Sequence, residues 1–223
     1  MRLLPNYTHI VNPKLKHIYL SFDSEGKLII KSPKVSQASI EKILLKKSVW
    51  ITKSQDKLAL KKGKALQFNG AEKIYYLGTP YTLELIQQTK KQTKLLFDEH
   101  SFILYFHTFD TVLFQKHIDA FYKKMAQEMI PPLVTQWSET MQVDFSTIRF
   151  RKTKRQWGSC SSTNRLSFNT MMMKLPLAVI QYIVVHELAH IRYKHHKKDF
   201  WDEIEKYLPE YKKQVTQLKN YTT

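Results

Sequence analysis

From Leu177 to Tyr193 the chain runs without glycine or proline and is apolar on nearly every side, yet this stretch carries two histidines and a glutamate. A helix that is apolar all round is a buried helix. Pro176 stands where a first-turn proline belongs. Burying imidazoles and a carboxylate without partners costs several kcal/mol, so these polar groups need something to share. They read His186-Glu187-Leu188-Ala189-His190. At about 100° per residue the two histidines lie about 40° and one turn apart, so both rings can face one tetrahedral metal. Glu187 sits beside them, within reach of a metal-activated water. A pair of satisfied core histidines with a salt-bridged glutamate is the bland alternative, and the burial argument disfavours it.

A catalytic zinc takes three protein ligands and leaves one position open. His195 and His196 follow His190 by five and six residues. On one straight helix, six residues amount to a rotation of about 240° and a rise of about 9 Å, so neither can reach the metal unless the helix ends first. Arg192, Lys194 and His195 suit a helix C-terminus, and histidine tolerates a left-handed conformation better than most residues. With His195 as the cap, His196 is the expected third ligand; His195, Asp199 and Glu203 are its rivals. The single cysteine, Cys160, excludes an intramolecular disulfide and any zinc site built on two or more thiolates.

Around this helix the 223 residues read as an α+β chain. Residues 1–110 are rich in period-two alternation. HIYLSFD (17–23) and KLIIKS (27–32) flank Ser24-Glu25-Gly26 as a hairpin, and four runs between 72 and 107 look like an antiparallel meander. Between them Ser36 to about Ile51 reads as a helix burying Ile40, Ile43, Leu44 and Trp50. From Phe114 to Met141 a second helix carries Phe121, Met125, Met129, Leu133 and Trp137 four apart, with Pro131-Pro132 expected to kink or interrupt it. The change near residue 110 predicts two domains, a β-rich 1–110 packed on 111–223. The second contains a strand pair, Ser146 to Arg151 and Arg165 to Phe168, around the loop WGSCSSTN, and a terminal amphipathic stretch broken at Leu208-Pro209.

The formal charge of +17 is divided evenly at residue 110, and 30 of the 36 basic residues are lysine. A solvated basic surface is the expected reading. One cluster, Arg149 to Arg155, places five cations in seven residues and keeps a polyphosphate or nucleic-acid partner in view. No segment approaches the ~18 apolar residues of a membrane span, and the N-terminus lacks a signal-peptide pattern, so a cytoplasmic location is expected.

Taken with His196, Phe200-Trp201 and Pro209-Glu210-Tyr211, the H-E-L-A-H segment resembles the YgjP-like metallopeptidase domain family, a zincin-like group related to SprT-like proteins. Trp157-Gly158-Ser159-Cys160-Ser161, Asn169, Pro176 and Tyr182-Ile183-Val184-Val185 fit the same pattern. So do Gly26, Pro33, Trp50-Ile51 and Tyr76-Leu77-Gly78-Thr79-Pro80-Tyr81, so the resemblance spans essentially the whole chain. It departs at His195, where the family commonly has asparagine, and at Gln156, where it has a basic residue. Tyr193 stands where metzincins have glycine, so the chain is not read as a metzincin.

The resemblance implies a zincin-like C-terminal half with a small sheet and a buried H-E-x-x-H helix. It implies one zinc per chain on His186, His190 and His196, with Glu187 as general base. A peptide or protein is the expected substrate. Hydrolysis of a nucleoside triphosphate at the same metal, or a zinc-containing nucleic-acid-binding module, are the alternatives, and the retained Glu187 argues against the last.

Overall fold

A computed structural model describes residues 4–23, 26–70 and 72–222. Ser24 and Glu25 of the expected turn lie outside the described residues. Two compact units emerge, one running to Ala65 and the other from Leu66 to Tyr221. The boundary near residue 110 is therefore corrected to 65/66: the strands after Leu66 share a core with the helices that follow.

In the first unit, β1 (Tyr7–Val11), β2 (Tyr19–Phe22) and β3 (Leu28–Ser32) form a sheet in the order β1-β3-β2. The expected hairpin is β2 antiparallel to β3; β1 adds in parallel on the other side. Helix α1 (Gln37–Ala59) starts at Ser36, whose side chain accepts the Ser39 N–H as an N-cap should. Its Ile40, Leu44 and Ile51 bury against Leu28 and Ile30. The helix runs eight residues beyond Ile51, and Trp50, expected inside, is exposed with its ring against Phe22.

The second unit opens with β4 (Lys73–Tyr76), β5 (Thr79–Gln87), β6 (Lys94–Phe97) and β7 (Ser101–Phe106), ordered β4-β5-β7-β6. The antiparallel meander is corrected here: β5 and β7 pair in parallel, and β6 turns back to the outer edge of β7. Period-two alternation identifies strands but not their neighbours, because both pairings present one face to the core.

Helix α2 (Thr111–Met141) is capped by Asp110 and runs through Pro131 and Pro132 without interruption. Two adjacent intrahelical hydrogen bonds are forfeited there, but the buried line Ile118, Tyr122, Ala126, Ile130 and Val134 continues across the site. The residues expected to be innermost, Phe121 to Trp137, flank that line half-buried, about one helical position away.

A second three-stranded sheet consists of β8 (Thr147–Arg151), β9 (Gly158–Cys160) and β10 (Arg165–Asn169), with β10 in the middle. Strand β8 runs parallel to β10, and β9, read from sequence as loop, runs antiparallel to it. A 3-10 turn, Thr170–Lys174, leads into α3 (Leu177–Arg192), followed by α4 (Lys198–Tyr207) and α5 (Tyr211–Leu218), with the expected break at Leu208-Pro209.

The start of α3 is set by the β4–β5 turn. Leu77 and Gly78 donate their N–H groups to the carbonyls of Met173 (2.8 Å) and Lys174 (3.2 Å). Gly78 has φ +85°, and a Cβ there would lie 2.7 Å from Pro176 Cγ. Gly70 shares the left-handed backbone, φ +84°, but faces open space. Gly78→Ala should therefore lose roughly 2–4 kcal/mol of stability and Gly70→Ala only ~1–2, since only the first adds a clash to the left-handed penalty. Urea unfolding of both variants checks this; equal losses would contradict it.

Candidate metal centre

Helix α3 is buried along most of its length, including Val179, Ile180, Val184, Val185, Leu188 and Ala189. His186 and His190 lie on the side facing α4, where their rings meet Phe200, which stacks on His190 at 4.5 Å. The helix ends at Arg192, and the reversal is made by Tyr193 in an extended conformation, φ −121°, ψ 99°. A left-handed His195 is not needed: among the described residues, positive φ angles outside glycine occur elsewhere. Arg192 anchors the corner, donating to the Met141 (2.7 Å) and Gln142 (3.1 Å) carbonyls and pairing with Glu203.

The reversal brings His196 Nε2 to 3.2 Å from His186 Nε2. Among the described residues, His186, His190 and His196 form a group able to hold a metal, with the candidate ligand atoms within 4.8 Å of one another. Four ligands at about 2.0–2.1 Å in a tetrahedron stand about 3.3 Å apart, so the spacing of the two Nε2 atoms suits a shared ion. The rivals are engaged elsewhere: His195 Nδ1 faces Asp199 at 3.7 Å, and Glu203 pairs with Arg192.

The outer nitrogens are held as well. His190 Nδ1 donates to the Tyr193 carbonyl at 2.9 Å, which leaves its Nε2 lone pair for a cation. His186 Nδ1 lies 3.3 Å from the Tyr182 hydroxyl. Tyr182 stacks with Tyr211, which stacks with Trp201, and the Trp201 indole N–H donates to the His196 carbonyl at 3.1 Å. This aromatic column ties the supports of two of the three histidines together.

Glu187 is 5% exposed, and among the described residues no hydrogen-bond donor reaches its carboxylate. It lies against the backbone of β9: a Cβ on Gly158 would fall 2.6 Å from Glu187 Oε1. Gly158 is thus a site residue that the spacing of the motif did not reveal; its place in Trp157-Gly158-Ser159-Cys160 was the available signal. Asn169 holds the approach to β9, its side-chain amide donating to the Thr153 (2.8 Å) and Gln156 (3.0 Å) carbonyls while its oxygen accepts the Met171 N–H.

The histidine trio, the outward-held second nitrogens and the donor-free buried carboxylate match one further observation. A family model, the YgjP-like metallopeptidase domain, matches residues 16–221. The chain belongs to the YgjP-like metallopeptidase family. It is a metal-dependent hydrolase, and the family implies a divalent metal, typically zinc. Two solved structures are similar over part of the chain. The metallopeptidase zymogen of Pyrococcus abyssi abylysin is 25% identical, covering 36% of this chain and 81% of that one, with a TM-score of 0.34. That of Methanocaldococcus jannaschii jannalysin is 23% identical, covering 40% and 94%, with a TM-score of 0.35. No curated protein matches the chain.

The remaining sequence candidates fall outside the histidine group. Arg149 and Arg151 lie exposed on β8, at the sheet edge opposite β9, and Lys152 pairs with Asp119. Trp157 and Cys160 pack half-buried against the core, and burial pushes the Cys160 thiol up despite Lys194 Nζ at 3.5 Å. Among the described residues no helix is long and apolar enough to cross a membrane.

Burial, reinforced by His190 and His196, pulls His186 down to about 3, and burial pushes Glu187 up to about 8. In the metal-free chain the folded state therefore keeps a proton on Glu187 that the unfolded state releases near its ordinary 4.5. Stability falls as pH rises between those values. His186 acts oppositely, its contribution being lost as pH falls from 6.5 toward 3, and it is common to wild type and Glu187→Gln. Metal-stripped wild type should lose stability relative to Glu187→Gln as pH rises from 4.5 to 8, read from thermal melts. A difference that stays flat across that window would contradict the assignment.

Proposed function

We propose that this chain is a zinc peptidase in which His186, His190 and His196 hold one zinc and Glu187 is the general base. The observation that carries the reading is Glu187: a buried carboxylate without a hydrogen-bond donor, held beside converging imidazole nitrogens, is tolerable when its partner is a reactant. Zinc, when bound, supplies a Lewis acid that polarises a carbonyl and acidifies water. Glu187 takes the proton from the attacking water and returns it to the leaving amine. Burial alone raises its proton affinity, to about 8 in the metal-free chain, which favours the return step. The positive charge of a bound cation would oppose that shift and free the carboxylate for the first step.

Substrate orientation falls to β9. Trp157 and Ser161 direct backbone groups toward β10, so by antiparallel alternation those of Gly158 and Cys160 face outward. An extended peptide adding to that edge passes the Glu187 carboxylate, and its scissile carbonyl can be presented there. Only a residue without a side chain lets the strand lie this close to the base. The nucleotide alternative has less support, since two of the three arginines that would neutralise phosphate, Arg149 and Arg151, sit on β8, and Arg155 stands exposed in the connection to β9.

Glu187→Gln should retain zinc and lose about 10²–10⁴-fold in turnover. Purified zinc protein screened against peptides and nucleotides, with this variant as the blank, tests the reaction; turnover that persists in the blank would remove Glu187 from it. His196→Ala should lose zinc in elemental analysis, whereas His195→Ala should keep it. The reverse pattern would shift the third ligand by one residue.

A further inference from the structure

We infer that the open face of the β1-β3-β2 sheet in the first unit binds single-stranded nucleic acid without sequence preference, independently of the metal centre. Evenly divided at residue 110, the charge is uneven at the structural boundary. Residues 1–65 hold fourteen Lys and Arg against four Asp and Glu, and the remaining 158 residues hold 22 against 15. The first unit thus carries +10 of the +17 in under a third of the chain.

Much of that charge has no ion pair among the described residues. Ion pairs among the described residues, such as Lys152–Asp119, Arg192–Glu203 and Lys213–Glu210, lie in the second unit. Lys14, Lys16 and Lys31, on or beside the open face, form none among the described residues. Asp23 is occupied by the backbone N–H of Lys27, and Glu41 by the Gln37 amide. A field of one sign repels itself in the folded state and is relieved by a polyanion.

The face itself selects the kind of polyanion. Strand register sets Ile10, Lys31 and Tyr19 in one row and Thr8, Ile29 and Ser21 in the next, on the side of the sheet away from α1. Tyr19 is 50% exposed and Ile10 42%, which leaves a phenol ring and a branched aliphatic side chain open to solvent. His17 meets Tyr19 edge-on, and Lys14 and Lys16 stand exposed in the connection leading to β2. An exposed ring and apolar row beside unpaired cations is what unstacked bases on a phosphate backbone require. Lysine without arginine among the described cations of this unit favours charge over base-edge readout.

The test uses the full chain, stripped of metal, and a labelled oligothymidylate of about 20 nucleotides at ~50 mM salt. Binding should weaken steeply with salt. Tyr19→Ala should weaken it about 5- to 150-fold, Tyr19→Phe should preserve it, and Lys31→Gln should weaken it more than Arg149→Gln in the second unit. Ser21→Glu, which puts a negative charge on the same exposed face, should weaken it whether or not Tyr19→Ala folds. The proposal is overturned if the oligonucleotide does not bind, if the Tyr19, Lys31 and Ser21 variants bind like wild type, or if Lys31→Gln and Arg149→Gln lose equally. It is also overturned if phosphatidylserine vesicles bind and the oligonucleotide does not.

Discussion

The approach of His196 Nε2 to within 3.2 Å of His186 Nε2 is the constraint on which the second unit depends. Two ring nitrogens turned toward each other gain little from one another; they are held there by everything around them. α3 must be buried along its other faces so that its half-buried histidines are held toward α4, and it must end at Arg192 so that the chain can come back. Arg192 itself fastens the corner to the end of α2 and to α4. Phe200 then covers His190, and Trp201 holds the His196 backbone. Each of these is an ordinary packing or hydrogen-bonding contact. Together they bring three imidazoles into one group able to hold a metal.

Beside the histidines on α3, Glu187 lies against β9. It is 5% exposed and packs on the Gly158 backbone, and among the described residues no hydrogen bond reaches its carboxylate. The consequence is a carboxyl whose proton affinity burial raises, next to an edge strand of the β8-β10-β9 sheet. Asn169 links the two parts of the site. It fixes the chain leading into β9 and caps the turn that leads into α3, so the strand and the helix are positioned from one buried side chain.

Much of this was legible in the sequence, for reasons that also explain what was not. The α3 segment announced itself because an all-apolar run with polar exceptions has few structural solutions, and the six-residue gap to His196 required a turn. The start of α1 was legible at Ser36, whereas α2 begins at Thr111 under an Asp110 cap, three residues before the expected Phe114. Pairing partners were hidden, since alternation in β5 and β7 is the same whether they run parallel or antiparallel. The boundary at 65/66 was hidden because the strands after Leu66 look like those before it; what separates them is the core they join. Gly158 was hidden because its backbone needs no unusual φ, only the closeness of a side chain 29 positions away in sequence.

The first unit has its own core and most of the excess charge, and the candidate metal centre lies in the second. The central claim concerns that centre, and X-ray absorption at the zinc edge of the zinc-loaded protein addresses it most directly. The account predicts three imidazole nitrogens and one oxygen at about 2.0–2.1 Å. A sulfur at about 2.3 Å, which only Cys160 or a methionine could provide, or fewer than three imidazoles, would contradict it.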